Sequence, residues 1–249
     1  TDGLQRARGR AGTNLERNTP GLFGIAHAKS FFWDGRAATL EAQARIPIEH
    51  PDEMAYSPEA AIKRLLEDPT YRTAFTLAFP NAKAMTGNFI LRAIATYERT
   101  LNPPMTRFDR WITGDRTALS AAEIAGFRVF TGKAGCLACH GGWRFTDDRF
   151  HDVGLPSPDL GRGAITNKPS DNHAFKTPTL RELRWTAPYM HDGSLKTLKE
   201  VITHYQENLH KRPTLAPELR HVTPLSTAER RQLIAFLLSL SSPPKQHAK

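Results

Sequence analysis

The chain has 249 residues, 39% of them hydrophobic, which gives room for two domains and enough apolar material for real cores. No run approaches the roughly 20 consecutive apolar residues of a membrane helix, and no charged-then-apolar leader opens the chain, so membrane insertion is not expected. The formal charge of +9 is spread along the chain rather than stacked on one recognition helix, and no nucleic-acid motif accompanies it, so nucleic acid is set aside as a partner.

Helical periodicity dominates and alternating strand patterns are scarce. Ser57-Pro58 predicts a helix start, with serine as cap and proline at the first helical position, and the helix runs through Ile62, Leu65 and Leu66. Phe89, Ile90, Ala93, Ile94 and Tyr97 fall on one face of the next helix. A Ser120-x-x-Glu123 capping box opens a third, whose Ile124, Phe127 and Phe130 lead to Gly132. Thr146 to Lys176 is rich in Gly, Pro and Asp without a visible period, and a loop this long is expected to be functional, wrapping a flat cofactor being one use. Thr197-x-x-Glu200 and Ser226-x-x-Glu229 begin two further helices, the last burying Leu233, Ile234, Phe236, Leu237 and Leu240.

Both cysteines lie in one string, Cys136-Leu137-Ala138-Cys139-His140. A C-x-x-C followed directly by histidine is the attachment pattern of haem c, in which both thiols become thioethers and the histidine binds iron. A thioredoxin-like pair would sit beside a βαβ pattern, and a structural zinc site would need a second ligand pair; the sequence has neither. Helix, haem string, loop and helix from about Ser120 onward are what a small cytochrome c domain needs, whereas Thr1 to about Gly114 has no haem string.

Four separated strings stand in a telling order: Arg17-Asn18-Thr19-Pro20, Phe32-Trp33-Asp34-Gly35-Arg36-Ala37, Cys136 to His140, and Thr186-Ala187-Pro188-Tyr189-Met190-His191-Asp192-Gly193. In this the chain resembles, over nearly its whole length, the bacterial di-haem cytochrome c peroxidases and the related MauG and MbnH enzymes. The resemblance implies a mostly α fold of two cytochrome c-like domains, the N-terminal one incomplete: 1–115 the remainder of a peroxidatic haem domain, and 116–249 a C-terminal haem domain whose final helix is a candidate to pack back on the first. Family members carry a first haem shortly before a Phe-Thr-Asp-Gly string, and this chain opens Thr1-Asp2-Gly3, so it is expected to begin just after that haem. A mono-haem descendant is the alternative.

Carried over residue by residue, the resemblance places the tryptophan that relays electrons between haems at Trp33, and a glutamine and glutamate above the peroxidatic haem at Gln43 and Glu53. Glu53 is the expected general acid/base, because O–O heterolysis needs a group that moves a proton between the peroxide oxygens. A calcium ion between the haems maps to the Asn18 side chain and the carbonyls of Thr186 and Pro188, oxygen ligands that suit this hard cation. Candidates for the far ligand opposite His140 are Met190, His191, His204 and Tyr205. The peroxidases' methionine aligns with Tyr205, where MauG resembles this chain in having tyrosine. A thioether raises the haem potential and suits ordinary electron delivery, whereas a phenolate stabilises oxidised iron. The loop Leu4 to Glu16 contains no histidine to block the first iron. His27 reads as structural, and Arg36, Arg162 and Arg181 are candidates to hold propionates.

The expected function is therefore a periplasmic di-haem peroxidase that uses hydrogen peroxide to oxidise a protein substrate or other donor at a distance. The alternatives are a cytochrome c peroxidase drawing on a small redox protein, and a plain electron-transfer cytochrome. Haem c, with a second one in the full-length protein, and calcium are the expected cofactors.

Overall fold

The computed structural model describes residues 1–243, so the last six residues of the expected C-terminal domain lie outside the described residues. Helices dominate: nine α-helices and one antiparallel pair of two-residue strands among the described residues. None of these helices is long and apolar enough to cross a membrane.

In the first part, α1 (Leu40–Glu49) starts where the Thr39 hydroxyl accepts from the Ala42 amide, and it buries Leu40, Ala44 and Ile48, an i, i+4, i+8 stripe. Ser57 and Asp68 cap α2 (Pro58–Leu65) and α3 (Pro69–Ala78), each with proline in its first turn. All three lie around α4 (Gly87–Thr100), through cores built on Ile62, Phe75 and Ile90, on Ala44, Ile48 and Leu91, and on Phe31, Ala37, Leu40 and Ala95. The predicted face of α4 is corrected here: Tyr97 is exposed, while Leu91, Ala95 and Glu98 are buried. Both α1 and α2 pack on α4, so its buried stripe is wider than a single-neighbour pattern and shifted around the axis.

The second core begins with α5 (Arg107–Ile112), closed by a Thr106/Asp109 capping box, and continues with α6 (Ala121–Thr131), closed by the expected Ser120/Glu123 box. The segment 146–176 is partly ordered into β1 (Phe150–His151), α7 (Gly163–Thr166) and β2 (Phe175–Lys176), with β1 and β2 antiparallel. Then come α8 (Leu198–Glu207) and α9 (Thr227–Ser239), both with their predicted capping boxes.

Helices α6 and α9 pack tightly because position 126 has no side chain: a Cβ on Gly126 would stand 1.9 Å from the Gln232 carbonyl oxygen. Around their crossing, Phe236 packs on Phe130 and Phe108 at centroid distances of 5.1 and 5.4 Å. Burying such a ring contributes roughly 1.5–3 kcal/mol, so this aromatic cluster anchors the helix that leads into the cysteine string. Phe108 comes from α5, and by packing α5 belongs with the second core.

Candidate haem centre

The string Cys136–His140 follows α6 through a turn with Gly135 at φ +67°, a conformation that suits glycine, and a 3-10 turn over Cys136–Ala138. Both cysteines are free and half-buried. Burial pushes each thiol up to about 11, with Asp147 and Glu218 adding to the effect at Cys139. Neither is a ready thiolate, so the pair lacks the low-pKa sulfur of a dithiol oxidoreductase. His140 Nδ1 pairs with the Phe145 carbonyl at 2.9 Å, and the backbone of Pro178 also lies within hydrogen-bonding reach of the ring. Burial lowers the pKa of this imidazole, and the neutral form is the one that ligates metal. Close by, His151 Nε2 meets Asp147 Oδ2 at 2.8 Å. Burial works against ionisation of Asp147, but the hydrogen bond with His151 and that from the Arg149 amide outweigh it and hold the carboxyl below its usual range.

The four far-ligand candidates separate by their surroundings. His191 is buried and stacked on Phe175 at 3.6 Å and 10°, and burial pushes it down to about 4. His204 is buried with Nε2 donating to the Val153 carbonyl at 2.9 Å. Met190 sits at φ +74° in the turn before Gly193. Tyr205, on α8 one turn beyond Val201, lies within electrostatic reach of both cysteines, and its hydroxyl makes no hydrogen bond among the described residues. Burial raises its pKa first, and the two sulfurs raise it further. A phenol in that setting ionises readily only beside a strong positive charge such as ferric iron. The buried residues of α8 are Leu198, Ile202 and His204, and Val201 and Tyr205, both half-buried, lie on the arc between them, on the inward side of the helix.

In the first part of the chain, Trp33 is half-buried, and its Nε1 donates to the Asn18 carbonyl at 2.9 Å. The Asn18 amide group donates through Nδ2 to the carbonyls of Leu4 and Gln5 at 2.7 and 3.3 Å, so Oδ1 faces away and accepts nothing among the described residues. Gln5 and Pro188 line one small cavity of about 330 Å³, and Thr186 packs near Gly21, so Asn18, Thr186 and Pro188 border the same N-terminal segment. Lys196 lines that cavity too and is the one feature there that opposes a cation. Gln43 stands on α1 off the Leu40–Ala44–Ile48 stripe, and its Oε1 is buried without a partner. Glu53 lies in the turn that folds back over the end of α1, where the Met54 amide reaches the Pro47 carbonyl; its carboxylate makes no hydrogen bond among the described residues. No hydrogen bond joins Gln43 or Glu53 to Trp33.

These residues fit a haem. Two free thiols, a buried neutral imidazole and an unpaired phenol are gathered at one place, and the Nε of Arg144, four residues beyond His140, is a buried donor with no acceptor. The Arg144 guanidinium already pairs with Asp148 and donates to the His27 carbonyl, so Nε alone is left wholly without an acceptor, and a propionate has the chemistry to complete it. Arg144 escaped the sequence reading, although its spacing from His140 was a usable signal. The three arginines named there are already engaged: Arg36 with Asp34, Arg162 with the carbonyls of Asp34 and Gly35, and Arg181 in a two-pronged pair with Asp109. The fold and these groups together define a c-type haem protein.

Comparison with known proteins makes this specific. Residues 1–117 match the family described as di-haem cytochrome c peroxidase. The chain is 47% identical over 247 residues to the methylamine utilization protein MauG of Methylorubrum extorquens, covering 98% of this chain and 70% of that one. It is 35% identical over 208 residues to cytochrome c551 peroxidase of Nitrosomonas europaea, covering 81% and 62%. A solved structure, that of a MauG-like protein associated with microbial copper homeostasis, superposes with a TM-score of 0.89 at 30% identity over 97% of this chain and 80% of that one. The chain belongs to the di-haem cytochrome c peroxidase and MauG family: it is a peroxidase-type oxidoreductase that works with haem c, and its likeness to MauG exceeds its likeness to cytochrome c551 peroxidase.

Proposed function

We propose that this chain, in its full-length protein, uses hydrogen peroxide to withdraw electrons at a distance from a protein substrate, in the manner of MauG. Residues 116–249 form the domain in which Cys136, Cys139, His140 and Tyr205 would hold haem, and 1–115, apart from α5, which packs in the second core, belong to the domain of a second, peroxidatic haem. The observation that carries this reading is Tyr205: of the four candidates it is the one with an unpaired polar atom near both cysteines. Haem c, when bound, supplies iron that reacts with peroxide and exchanges single electrons.

Each peroxide takes two electrons and two protons and leaves as two waters. Glu53 moves a proton between the peroxide oxygens, and Gln43, with its open Oε1, orients the oxygen substrate beside it. Trp33 passes electrons one at a time from the C-terminal side. Calcium bound by Asn18 Oδ1 and the carbonyls of Thr186 and Pro188 stiffens the junction on which Trp33 rests. The site of action is the periplasm, because covalent haem attachment takes place in the compartment that holds the attachment machinery.

The test is a pair of visible-absorption and electron paramagnetic resonance spectra of the full-length protein, before and after one equivalent of hydrogen peroxide. High-spin and low-spin haem side by side, no methionine-to-iron band, and a new oxidised state on adding peroxide are the expected result. A methionine band, with peroxide inert until one haem is reduced, would instead make this a cytochrome c peroxidase that draws on a small redox protein.

A further inference from the structure

The turn that carries Trp33 is gripped from outside by the segment expected to wrap a cofactor. The turn itself closes with the Phe31 amide donating to the Ala37 carbonyl at 2.9 Å. Arg162 donates to the carbonyls of Asp34 and Gly35 at 2.9 and 3.2 Å, and its guanidinium stacks 4.6 Å from the Phe150 ring centroid. Phe150 in turn fills the space at Gly35, where a Cβ would stand 2.3 Å from the ring. Opposite Phe150 in the β1–β2 ladder stands Lys176.

Lys176 holds the turn at two points. Its main-chain amide donates to the Trp33 carbonyl at 2.7 Å, and its Nζ donates to the Ser30 carbonyl at 2.6 Å. The ammonium also lies 5.9 Å from the Phe31 centroid. We infer that Lys176 is a positioning residue for Trp33, its side chain fixing the start of the turn while its backbone fixes the tryptophan, so that the indole keeps one pose between the two halves of the molecule. This rests on the reading of Trp33 as the electron relay.

The arrangement is costly and therefore informative. Burial pushes the Lys176 ammonium down to about 8, with Asp148 supporting the charge and Arg144 opposing it. A surface lysine would avoid that cost; this one is half-buried, with a single carbonyl as its hydrogen-bond acceptor among the described residues. Electron passage depends on the placement of the relay, and displacements near 1 Å in a catalytic constellation can cost about a hundredfold in rate.

The experiment measures electron transfer between the haems in full-length holoenzyme by stopped-flow spectroscopy after peroxide addition, for wild type, W33F, K176M, K176Q and K176R. Where K176M does not fold with the wild-type haem spectrum, K176Q replaces it. The expected result is a slowing of about tenfold or more in W33F and in the lysine deletion, substantial recovery in K176R, and unchanged thermal midpoint and resting haem spectra. Slow W33F with a wild-type rate in K176M or K176Q overturns the role of Lys176 and leaves the relay standing. An unaltered rate in W33F overturns the relay itself, and the inference with it.

Discussion

The indole Nε1 of Trp33 donates to the main-chain carbonyl of Asn18 at 2.9 Å, while the amide of the same Asn18 donates to the His191 carbonyl at 2.7 Å. One residue thus joins the tryptophan turn to the Thr186–Gly193 string, and a cation held by its side chain would act on Trp33 through the shared backbone. Chelation of calcium is expected to slow electron transfer between the haems in wild type, and N18A to show the slowed rate from the start with no further response to chelator. Metal content by mass spectrometry and stopped-flow rates check this. A chelator effect of equal size in N18A and wild type would rule out Asn18 as ligand.

Glu53 makes no side-chain hydrogen bond among the described residues, so its carboxylate contributes little to the fold and is available for the acid/base role proposed for it. E53Q keeps the shape and removes the proposed acid/base function. Its reaction with peroxide should fall about a hundredfold or more while the thermal midpoint holds. Unchanged peroxide kinetics would remove Glu53 from the chemistry.

Asp152 is 2% exposed and receives Arg212 through Nε and Nη2, both at 2.6 Å, together with the Thr214 hydroxyl and the Gly154 amide. It locks the residues after β1 to the loop that follows α8, the helix carrying Tyr205. Burial opposes its ionisation, yet Arg212, Thr214 and Gly154 prevail and hold the carboxyl below its ordinary 3.8. A depressed acid contributes stability that is present above the unfolded value and lost as pH falls through the folded one. D152N leaves Arg212 without its charge partner and should cost roughly 3 kcal/mol at neutral pH, the deficit closing below about pH 4. Urea unfolding at several pH values measures both, and a deficit that does not change with pH would show that the charge is not its source.

Gly126 lets α6 touch α9, and nothing larger fits against the Gln232 carbonyl. G126A is expected to lower stability by roughly 1–3 kcal/mol by forcing the helices apart. Because α6 delivers Cys136, the yield of covalently attached haem should fall as well, read as the ratio of haem to protein absorbance. Full stability with full haem content would mean that the crossing yields at little cost.

Local signals in the chain determined much of this. Capping boxes at Ser120, Thr197 and Ser226 and the Ser57-Pro58 start are legible because a cap is satisfied within three residues, and each stands where expected. The same logic could have found α3, which begins at Asp68-Pro69, whereas α5 is only six residues long and α1 contains Pro47. The haem string was equally legible, since C-x-x-C-H is contiguous chemistry.

What lay beyond reach depended on partners distant in the chain. The exposure of Tyr97 follows from two helices pressing on α4, and the separation of Tyr205 from His204 and His191 follows from which neighbours occupy each ring. Arg36, Arg162 and Arg181 appeared free as a string of letters and are all engaged in the fold, while Arg144 keeps a buried donor open. By itself the sequence determined the family, the helices' starting points and the residue types at the haem. Only the tertiary structure decided that the aperiodic stretch 146–176 grips the Trp33 turn, because packing and hydrogen bonding between segments more than a hundred residues apart leave no periodic trace in either one.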